Sequence, residues 1–275
     1  IDLWKPTYYI CPYLINMSEI SIQGNKLHYI EGDKFDKSRP TVLLIHGAGQ
    51  SVSTWKFQLD LFRNHPNFNF IAIDLPGRGG SGGEGFRSVI EYKDFLNEFI
   101  DSLQLESIIL IGHSMGGGVA MLLALEHPEI LQACVLAATG AKLSVAEQTL
   151  ETVRNNYAVF CEVAPDRMFG EDSAQELKQE FKKGLLDTGA EVCYWDLIAC
   201  NEFNIMDDVE KIIVPTLIIS GDKDILTPSK YGEYLHQKIY GSQLYIVKGS
   251  GHFIMQEKAE EFNSVIIAFL NDFIK

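Results

Sequence analysis

Short apolar runs alternate with amphipathic stretches along most of the chain, and this alternation predicts a regular order of strands and helices. Continuous apolar runs are typical of strands that are buried on both faces of a parallel sheet. Six such runs are predicted as buried strands: residues 41–45, 70–74, 107–111, 131–137, 214–220 and 244–247. Residues 18–22 and 27–30 instead alternate polar and apolar side chains around Gly24-Asn25, which predicts a hairpin.

Helical spacing of apolar residues fills most of the intervals between these strands. Apolar side chains recur at helical intervals in residues 92–103, 231–239 and 262–273. A chain that alternates strands and helices in this way is expected to be an α/β protein. We therefore predict a mostly parallel, eight-stranded sheet with helices on both faces.

The alternation stops at Gly140. Residues 141–208 contain no strand pattern, whereas Leu177, Phe181 and Leu185 fall one helical turn apart. We predict a helical insertion over residues 141–208, within a core made of residues 17–140 and 209–275. Five of its apolar residues are expected to help shape a hydrophobic pocket: Tyr157, Phe160, Met168, Trp195 and Ile198.

Residues 1–16 precede the predicted hairpin and form an N-terminal extension. This segment is rich in aromatic residues and contains Pro6 and Pro12. It lacks the basic start and the unbroken apolar run of a signal peptide. We expect a vector remnant or a strand-like arm packed on the surface, in preference to an arm that touches a membrane.

A Gly-x-Ser-x-Gly motif centred on Ser114 joins the apolar run 107–111 to a second apolar stretch that Pro128 ends. A serine between a strand and a helix must lie on a tight turn, and Gly112 and Gly116 leave room for that turn. The free N–H groups at the start of the helix favour an anion beside the serine. The motif predicts a nucleophile elbow.

A serine nucleophile needs a base, and the base needs a carboxylate to orient it. His252 follows the last predicted strand, and Asp224 follows the strand before it, so both belong at the carboxyl edge of the sheet. We favour Asp224 over Asp222, whose side chain is expected to cap the turn. His113 and His46 are expected to be structural.

Backbone donors are also needed to stabilise the oxyanion of an acyl-transfer reaction. The Met115 N–H follows the nucleophile directly, and the Ala48 N–H lies in the loop after the first buried parallel strand. Both positions suit an oxyanion hole.

Composition narrows the possible partners. The formal charge of −14 argues against nucleic acid and against anionic membranes, and no uncharged apolar stretch is long enough to span a bilayer. The chain has five cysteines, and their spacing does not suit a metal site, so we expect reduced thiols in the cytoplasm. No metal or organic cofactor is expected, and the sequence leaves the oligomeric state open.

Taken together, five motifs resemble those of the α/β-hydrolase fold superfamily. They are His46 to Gly49, Asp74 to Gly79, Gly112 to Gly117, Pro215 to Asp224, and Gly251-His252. The resemblance covers the chain from about Met17 to its end, and it implies an antiparallel second strand and a helical lid after the sixth strand. The glycine-rich stretch Arg78 to Gly83 departs from the family's pattern.

The residues predict a serine hydrolase that cleaves a small ester with an apolar acyl or alcohol group. Ser114 would be the nucleophile, His252 the base and Asp224 the residue that orients it. Carbon–carbon bond hydrolases and cofactor-free perhydrolases resemble this pattern and stay open as alternatives. A small-molecule receptor with a hydrolase fold is an alternative of another class.

Overall fold

The computed structural model describes residues 16–63 and 65–273, in which eight strands form one sheet. The strand order is β1-β2-β4-β3-β5-β6-β7-β8. The strands are β1 (Asn16–Ile22), β2 (Asn25–Glu31), β3 (Thr41–Ile45), β4 (Asn69–Ile73), β5 (Ile108–His113), β6 (Leu131–Ala137), β7 (Thr216–Gly221) and β8 (Gln243–Val247). The predicted mostly parallel, eight-stranded sheet is confirmed.

Strand β2 is the antiparallel member of the sheet. It pairs antiparallel with β1 and with β4, whereas β3 to β8 pair parallel with their neighbours. The hairpin turn lies at Gln23 and Gly24, both with positive φ, and Asn25 already begins β2. The predicted hairpin is therefore correct, with its turn one residue earlier than expected.

Helices cover both faces of the sheet, as predicted. Along β3, Leu43 and Ile45 belong to one core cluster while Val42 and Leu44 belong to another, which explains why the strand is apolar throughout. The helices outside the insertion are α1 (Lys56–Phe62), α2 (Val89–Ser102), α3 (Met115–Glu126), α8 (Ser229–Lys238), α9 (Ile254–Glu257) and α10 (Ala259–Leu270). Helices α2, α3 and α8 pack into the first cluster, and α1, α9 and α10 pack into the second.

Four helices lie between β6 and β7 and make up the helical insertion. They are α4 (Glu147–Asn155), α5 (Tyr157–Met168), α6 (Gln175–Thr188) and α7 (Ala190–Glu202). The insertion has a small apolar core of its own, built around Val153, Phe160 and Leu185. A single bridge between Lys142 and Asn204 joins its two ends. The exact domain limits and the action of these helices as a lid stay predictions.

The predicted N-terminal extension, residues 1–16, lies outside the described residues except for Asn16, the first residue of β1. Cys11 is also outside them. The other four cysteines are unpaired and buried. Among the helices of the described residues, none is both long enough and apolar enough to cross a bilayer.

Candidate active site

Ser114 lies on a sharp turn between β5 and α3. Its backbone has φ 52° and ψ −117°, a conformation that a residue with a side chain adopts only when its surroundings hold it there. The Ser114 N–H donates to the Ala137 carbonyl at 3.0 Å, and its own carbonyl accepts from Thr139 Oγ1 at 2.8 Å. The strand, the turn and the helix therefore present the serine at the carboxyl edge of the sheet.

The two glycines of the motif are required by close backbone contacts. A Cβ at Gly112 would lie 2.3 Å from the Gly116 carbonyl oxygen, and a Cβ at Gly116 would lie 2.3 Å from the Ile45 carbonyl oxygen. Neither neighbour is a flexible side chain, so any larger residue would displace the backbone of the turn. Gly-x-Ser-x-Gly is thus the pattern that allows α3 to approach both β5 and β3 here.

His252 and Asp224 are joined by a hydrogen bond between the loops that follow β8 and β7. The distance from His252 Nδ1 to Asp224 Oδ2 is 2.8 Å, and both side chains are almost completely buried. Since an ionised carboxylate can only accept, Nδ1 carries the hydrogen and the neutral ring keeps Nε2 as an acceptor. This is the tautomer that a general base needs.

Thr227 completes the surroundings of the Asp224 carboxylate. Its hydroxyl donates to Oδ2 at 2.7 Å, and the N–H groups of Leu226 and Thr227 donate to Oδ1 at 2.8 and 3.0 Å. Burial opposes the charge, but His252 and the Thr227 bonds outweigh it and hold the pKa of Asp224 well below its ordinary value. The carboxylate therefore stays ionised across the working range of a histidine base.

Asp222, the competing carboxylate, accepts instead from the Gly249 N–H at 2.7 Å and spans the two loops. Sequence reasoning missed the contribution of Thr227. The signal was available in the spacing, because an aspartate side chain that accepts from the N–H groups two and three residues later is a common turn motif.

Glu257 is a second residue that sequence reasoning missed. Its carboxylate accepts from the N–H groups of Gly251 and Phe253, which flank His252, at 3.1 Å each. It also accepts from Gly170 N–H at 2.8 Å, in the segment after α5. The His252 N–H donates to the Met168 carbonyl at 2.7 Å. The histidine loop is thereby fastened to the end of α5, a contact between distant parts of the chain that no local pattern reports.

His113 lies directly against His252. Their ring centroids are 4.7 Å apart, and His113 Nε2–H donates to the His252 carbonyl at 3.0 Å. Burial, followed by the neighbouring His252 ring, keeps the pKa of His113 well below its ordinary value. The neutral ring packs against His252, which agrees with the expected structural role. His113 also contributes to the cavity wall.

The two predicted oxyanion donors lie on neighbouring elements. Met115 is the first residue of α3, where a helix leaves its N–H groups without partners in the helix. Ala48 lies in the loop after β3, and His46 braces that loop. His46 Nδ1–H donates to the Gly47 carbonyl at 2.8 Å, and Nε2 accepts from the Leu75 N–H at 3.0 Å. Burial, aided by the charge of Arg78, lowers the pKa of His46 to about 3, so the brace is a neutral imidazole.

A cavity of about 520 Å³ opens beside these groups, within the usual range for a small-molecule site. Ser114, His252, Ala48 and Thr227 line it from the core. The insertion adds mostly apolar walls, from Phe160, Ala164, Met168, Phe181, Leu185 and Leu197. Ser114 and His252 thus share one space. Among the described residues, the His252 ring is hydrogen-bonded to Asp224, and no hydrogen bond from the Ser114 hydroxyl to His252 is present.

The apolar residues expected in the pocket divide into two groups. Phe160 and Met168 line the cavity. Tyr157, Trp195 and Ile198 are not part of its described lining. Trp195 packs against the Arg87 guanidinium, 3.8 Å from the ring centroid, and Tyr157 packs against Phe160 and donates to the Leu185 carbonyl. A helical apolar pattern identifies a buried face but does not tell packing from cavity lining.

The glycine-rich stretch Arg78 to Gly83 is held by a buried carboxylate. Asp74 accepts from the Gly80 N–H at 2.9 Å and from His28 Nδ1 at 2.7 Å. A Cβ at Gly79 would collide with Asp74, and one at Gly80 would collide with His28. These glycines therefore allow the loop to fold tightly over two side chains, and this stretch adds no residue to the described cavity lining.

The chain is similar in sequence to a known family of proteins. The model of the alpha/beta hydrolase family matches residues 42–265. A pimeloyl-[acyl-carrier protein] methyl ester esterase of Neisseria meningitidis is 29% identical over 256 residues, covering 85% of this chain and 93% of the relative. Epoxide hydrolase 3 of Mus musculus is 24% identical over 292 residues, covering 94% and 78%.

Solved structures show the same fold. A thermophilic esterase superposes with a TM-score of 0.83 at 32% identity, covering 94% of this chain and 98% of that one. The enol-lactonase from Burkholderia xenovorans LB400 superposes with a TM-score of 0.86 at 21% identity, covering 92% and 100%, which supports the fold alone. With the family model spanning most of its length, this chain belongs to the alpha/beta hydrolase family.

Proposed function

We propose that the protein is a serine hydrolase that cleaves a small carboxylic ester, or a related acyl compound, through an acyl-enzyme intermediate. One observation carries the proposal: the hydrogen-bonded pair of His252 and Asp224 opens onto the same cavity as Ser114, which a strained turn presents at the start of a helix. This is the combination that nucleophilic acyl transfer needs.

In the proposed reaction, Ser114 Oγ attacks the ester carbonyl while His252 Nε2 takes its proton. The N–H groups of Ala48 and Met115 stabilise the oxyanion, and His252 then delivers the proton to the departing alcohol. Asp224 keeps the ring in the required tautomer and stabilises the imidazolium that forms. Water, deprotonated by His252, attacks the acyl-enzyme and releases the acid.

The cavity supports a substrate with an apolar acyl or alcohol group. Its insertion walls are mostly aliphatic and aromatic, and the backbone donors lie on the core side. We expect the apolar group to extend toward Phe160 and Leu185, with the reacting carbonyl at Ser114.

Relatives support an ester over an epoxide. One curated relative carries the name of a methyl ester esterase, and a structure at 32% identity is that of a thermophilic esterase. The murine relative is named an epoxide hydrolase, but epoxide hydrolases of this fold use an aspartate as nucleophile where this chain has Ser114. For the location, we propose a reducing compartment such as the cytoplasm, because the four described cysteines are unpaired.

The test measures turnover of nitrophenyl acetate, butyrate, hexanoate and octanoate by the wild type and by Ser114→Ala. We expect kcat to fall roughly 10⁴- to 10⁶-fold in the variant. A fluorophosphonate should label Ser114 in the wild type, as shown by peptide mass, and should leave the variant unlabelled. Ser264→Ala, an exposed serine on α10 whose hydroxyl bonds the Glu260 carbonyl, is the control and should match the wild type.

Sustained turnover by Ser114→Ala would reject the proposal. Wild-type labelling without turnover of any ester, lactone or vinylogous diketone would instead indicate a receptor. Turnover of the diketone alone would indicate carbon–carbon bond cleavage.

A further inference from the structure

The Asp196 carboxylate is the centre of a buried cluster that the proposed reaction does not use. It accepts from Arg78 Nη1 at 2.7 Å, from Arg78 Nη2 at 2.9 Å, from the Tyr92 hydroxyl at 2.5 Å and from the Gly49 N–H at 2.7 Å. The side chains of Asp196 and Arg78 are completely enclosed. A carboxylate with four donors has no lone pair left for a substrate.

The partners of Asp196 are also bonded to other groups inside the protein. Arg78 Nε and Nη2 donate to the Pro76 carbonyl at 3.2 and 3.0 Å, and Nη2 also donates to the Tyr92 hydroxyl. Burial opposes the charge of Arg78, but Asp196 outweighs it and raises the pKa of the guanidinium. The Arg78 guanidinium therefore stays charged beside Asp196 and takes no part in proton transfer.

The cluster connects the insertion to the loop of the predicted oxyanion donor. Asp196 lies on α7, whereas Gly49 follows Ala48 in the loop after β3. The insertion also holds the other side of Gly49, because Thr188 Oγ1 donates to the Gly49 carbonyl at 3.2 Å. Gly49 has φ +67°, and a Cβ there would approach Leu185 to 2.9 Å, so the backbone lies directly against the insertion.

Peptide geometry carries this restraint to Ala48. The Gly49 N–H and the Ala48 carbonyl belong to one planar unit, so the bond to Asp196 fixes ψ of Ala48. On the other side, the bond from His46 Nδ1–H to the Gly47 carbonyl fixes the planar unit that carries the Ala48 N–H. Ala48 is thus held between two restrained peptides: the core restrains the one that carries its N–H, and the insertion restrains the one that follows.

We propose that Asp196 and Thr188 are positioning residues for the oxyanion hole. They hold Gly49 so that the Ala48 N–H is directed at the reacting carbonyl, and this donor is in place only while α7 is seated on the core. Arg78 and Tyr92 supply the counter-charge and the donors that keep Asp196 ionised in a buried place. The inference rests on the proposed function, because it assigns a role in that reaction.

The test compares two double variants that both lack the ion pair: Arg78→Met/Asp196→Asn and Arg78→Met/Asp196→Leu. Single removal of either charge would leave the other buried and unpaired, and replacing both partners avoids this. Asparagine and leucine have similar shapes, but only asparagine offers an oxygen to the Gly49 N–H. The two variants differ in the acceptor offered to the Gly49 N–H and to the Tyr92 hydroxyl, and Tyr92→Phe isolates the second contribution.

Three measurements on each variant separate positioning from general damage. They are kcat and KM on nitrophenyl butyrate, the second-order rate of labelling by a fluorophosphonate, and the affinity for a trifluoromethyl ketone, which forms a tetrahedral oxyanion. We expect the leucine variant to fall about 10- to 100-fold below the asparagine variant in kcat and labelling rate, with KM within about threefold. Ketone affinity should fall by the same factor as kcat/KM.

Equal kcat, labelling rate and ketone affinity in the two variants would overturn the inference and leave the cluster with a purely structural role. A loss confined to KM would overturn it as well. The proposed function is judged separately by Ser114→Ala, so a fully active Ser114→Ala would reject both proposals, whereas equal double variants would reject only this one.

If circular dichroism and the thermal melt show that the leucine variant does not fold, Thr188→Val is used to test the inference instead. It removes the hydroxyl that bonds the Gly49 carbonyl and keeps the shape of the side chain. A kcat and labelling rate at least about threefold lower, with KM unchanged, would support the inference, and wild-type values would reject it.

Discussion

Two enclosed carboxylates hold the loops of the candidate active site, and they do so in different ways. Asp224 joins two loops of the core and holds a histidine that can gain a proton, whereas Asp196 joins the insertion to the core and holds an arginine that cannot lose one. Both are buried and saturated with donors, so burial and ion pairing alone would rank them equally as candidate catalytic groups.

The difference lies in what the partner presents to the cavity. His252 borders the cavity and keeps Nε2 as an acceptor. The N–H groups of Arg78 instead donate to Pro76, Asp196 and Tyr92 in the interior of the protein. A reactive group is therefore recognised by a hydrogen-bonding atom that is left without a protein partner and faces a cavity. A positioning group is recognised by hydrogen bonds within the protein that use all of its acceptor sites.

The largest expected effect is on catalysis at Asp224. Asp224→Asn should lower kcat about 10⁴-fold, because the amide no longer selects the Nδ1–H tautomer of His252, while the fold persists. Asp222→Asn, two residues away, is the matched control and should stay within about threefold of the wild type. Ester turnover and the thermal melt measure the two quantities. A large loss in the control with little in Asp224→Asn would exchange the roles assigned to the two residues.

The next effect is on stability at Arg78. Arg78→Met should reduce the free energy of unfolding by about 3–5 kcal/mol, because Asp196 is left as a buried charge without its counter-ion. Adding Asp196→Leu should restore a large part of this loss. Urea unfolding of the two variants tests the coupling. Additive losses would show that the two residues do not act as a pair.

The next effect is on the pH dependence of stability through His46, whose pKa is lowered to about 3 by burial and by the charge of Arg78. Between pH 6.5 and 3 the unfolded chain binds a proton at this residue that the folded chain does not. Stability should therefore fall as pH decreases through this range, by about 1.4 kcal/mol per pH unit from this group.

His46→Gln keeps a donor and an acceptor at this position and does not titrate. It should flatten the dependence of the unfolding free energy on pH by that amount, measured by urea unfolding at a series of pH values. His113 contributes a slope of the same sign, so the variant should retain part of the dependence. An unchanged slope would mean that His46 is protonated in the folded protein.

The smallest effect is expected at Tyr92. Tyr92→Phe removes the hydroxyl that donates to Asp196 and accepts from Arg78 and from the Phe86 N–H, and it should lower stability by about 1–2 kcal/mol. The bond from Gly49 to Asp196 remains, so kcat/KM should stay within about threefold. A loss of activity as large as that expected for the leucine variant would show that the cluster positions the loop as a whole, rather than through the Gly49 bond.

Local pattern was sufficient for the strands, for the helices of the core and for the serine turn. Each depends on the neighbours along the chain: the apolar runs of β3 and β5, and the glycines either side of Ser114. Asp196 left a weaker signal. On α7 it shares the buried face with Val192, Cys193, Ala199 and Cys200, and a carboxylate on an apolar helical face predicts a buried partner. That pattern cannot say which cation is the partner.

By itself the sequence determined the fold class, the antiparallel hairpin, the helical insertion and the candidate nucleophile, because strand period, helix period and turn chemistry act over a few residues. Only the tertiary structure decided that Asp224 and not Asp222 meets His252, that Glu257 fastens the histidine loop, and that Asp196 reaches Gly49. Those contacts join residues up to 147 positions apart, and their geometry is set by the order of the strands in the sheet and by how the insertion packs on it, which no local preference encodes.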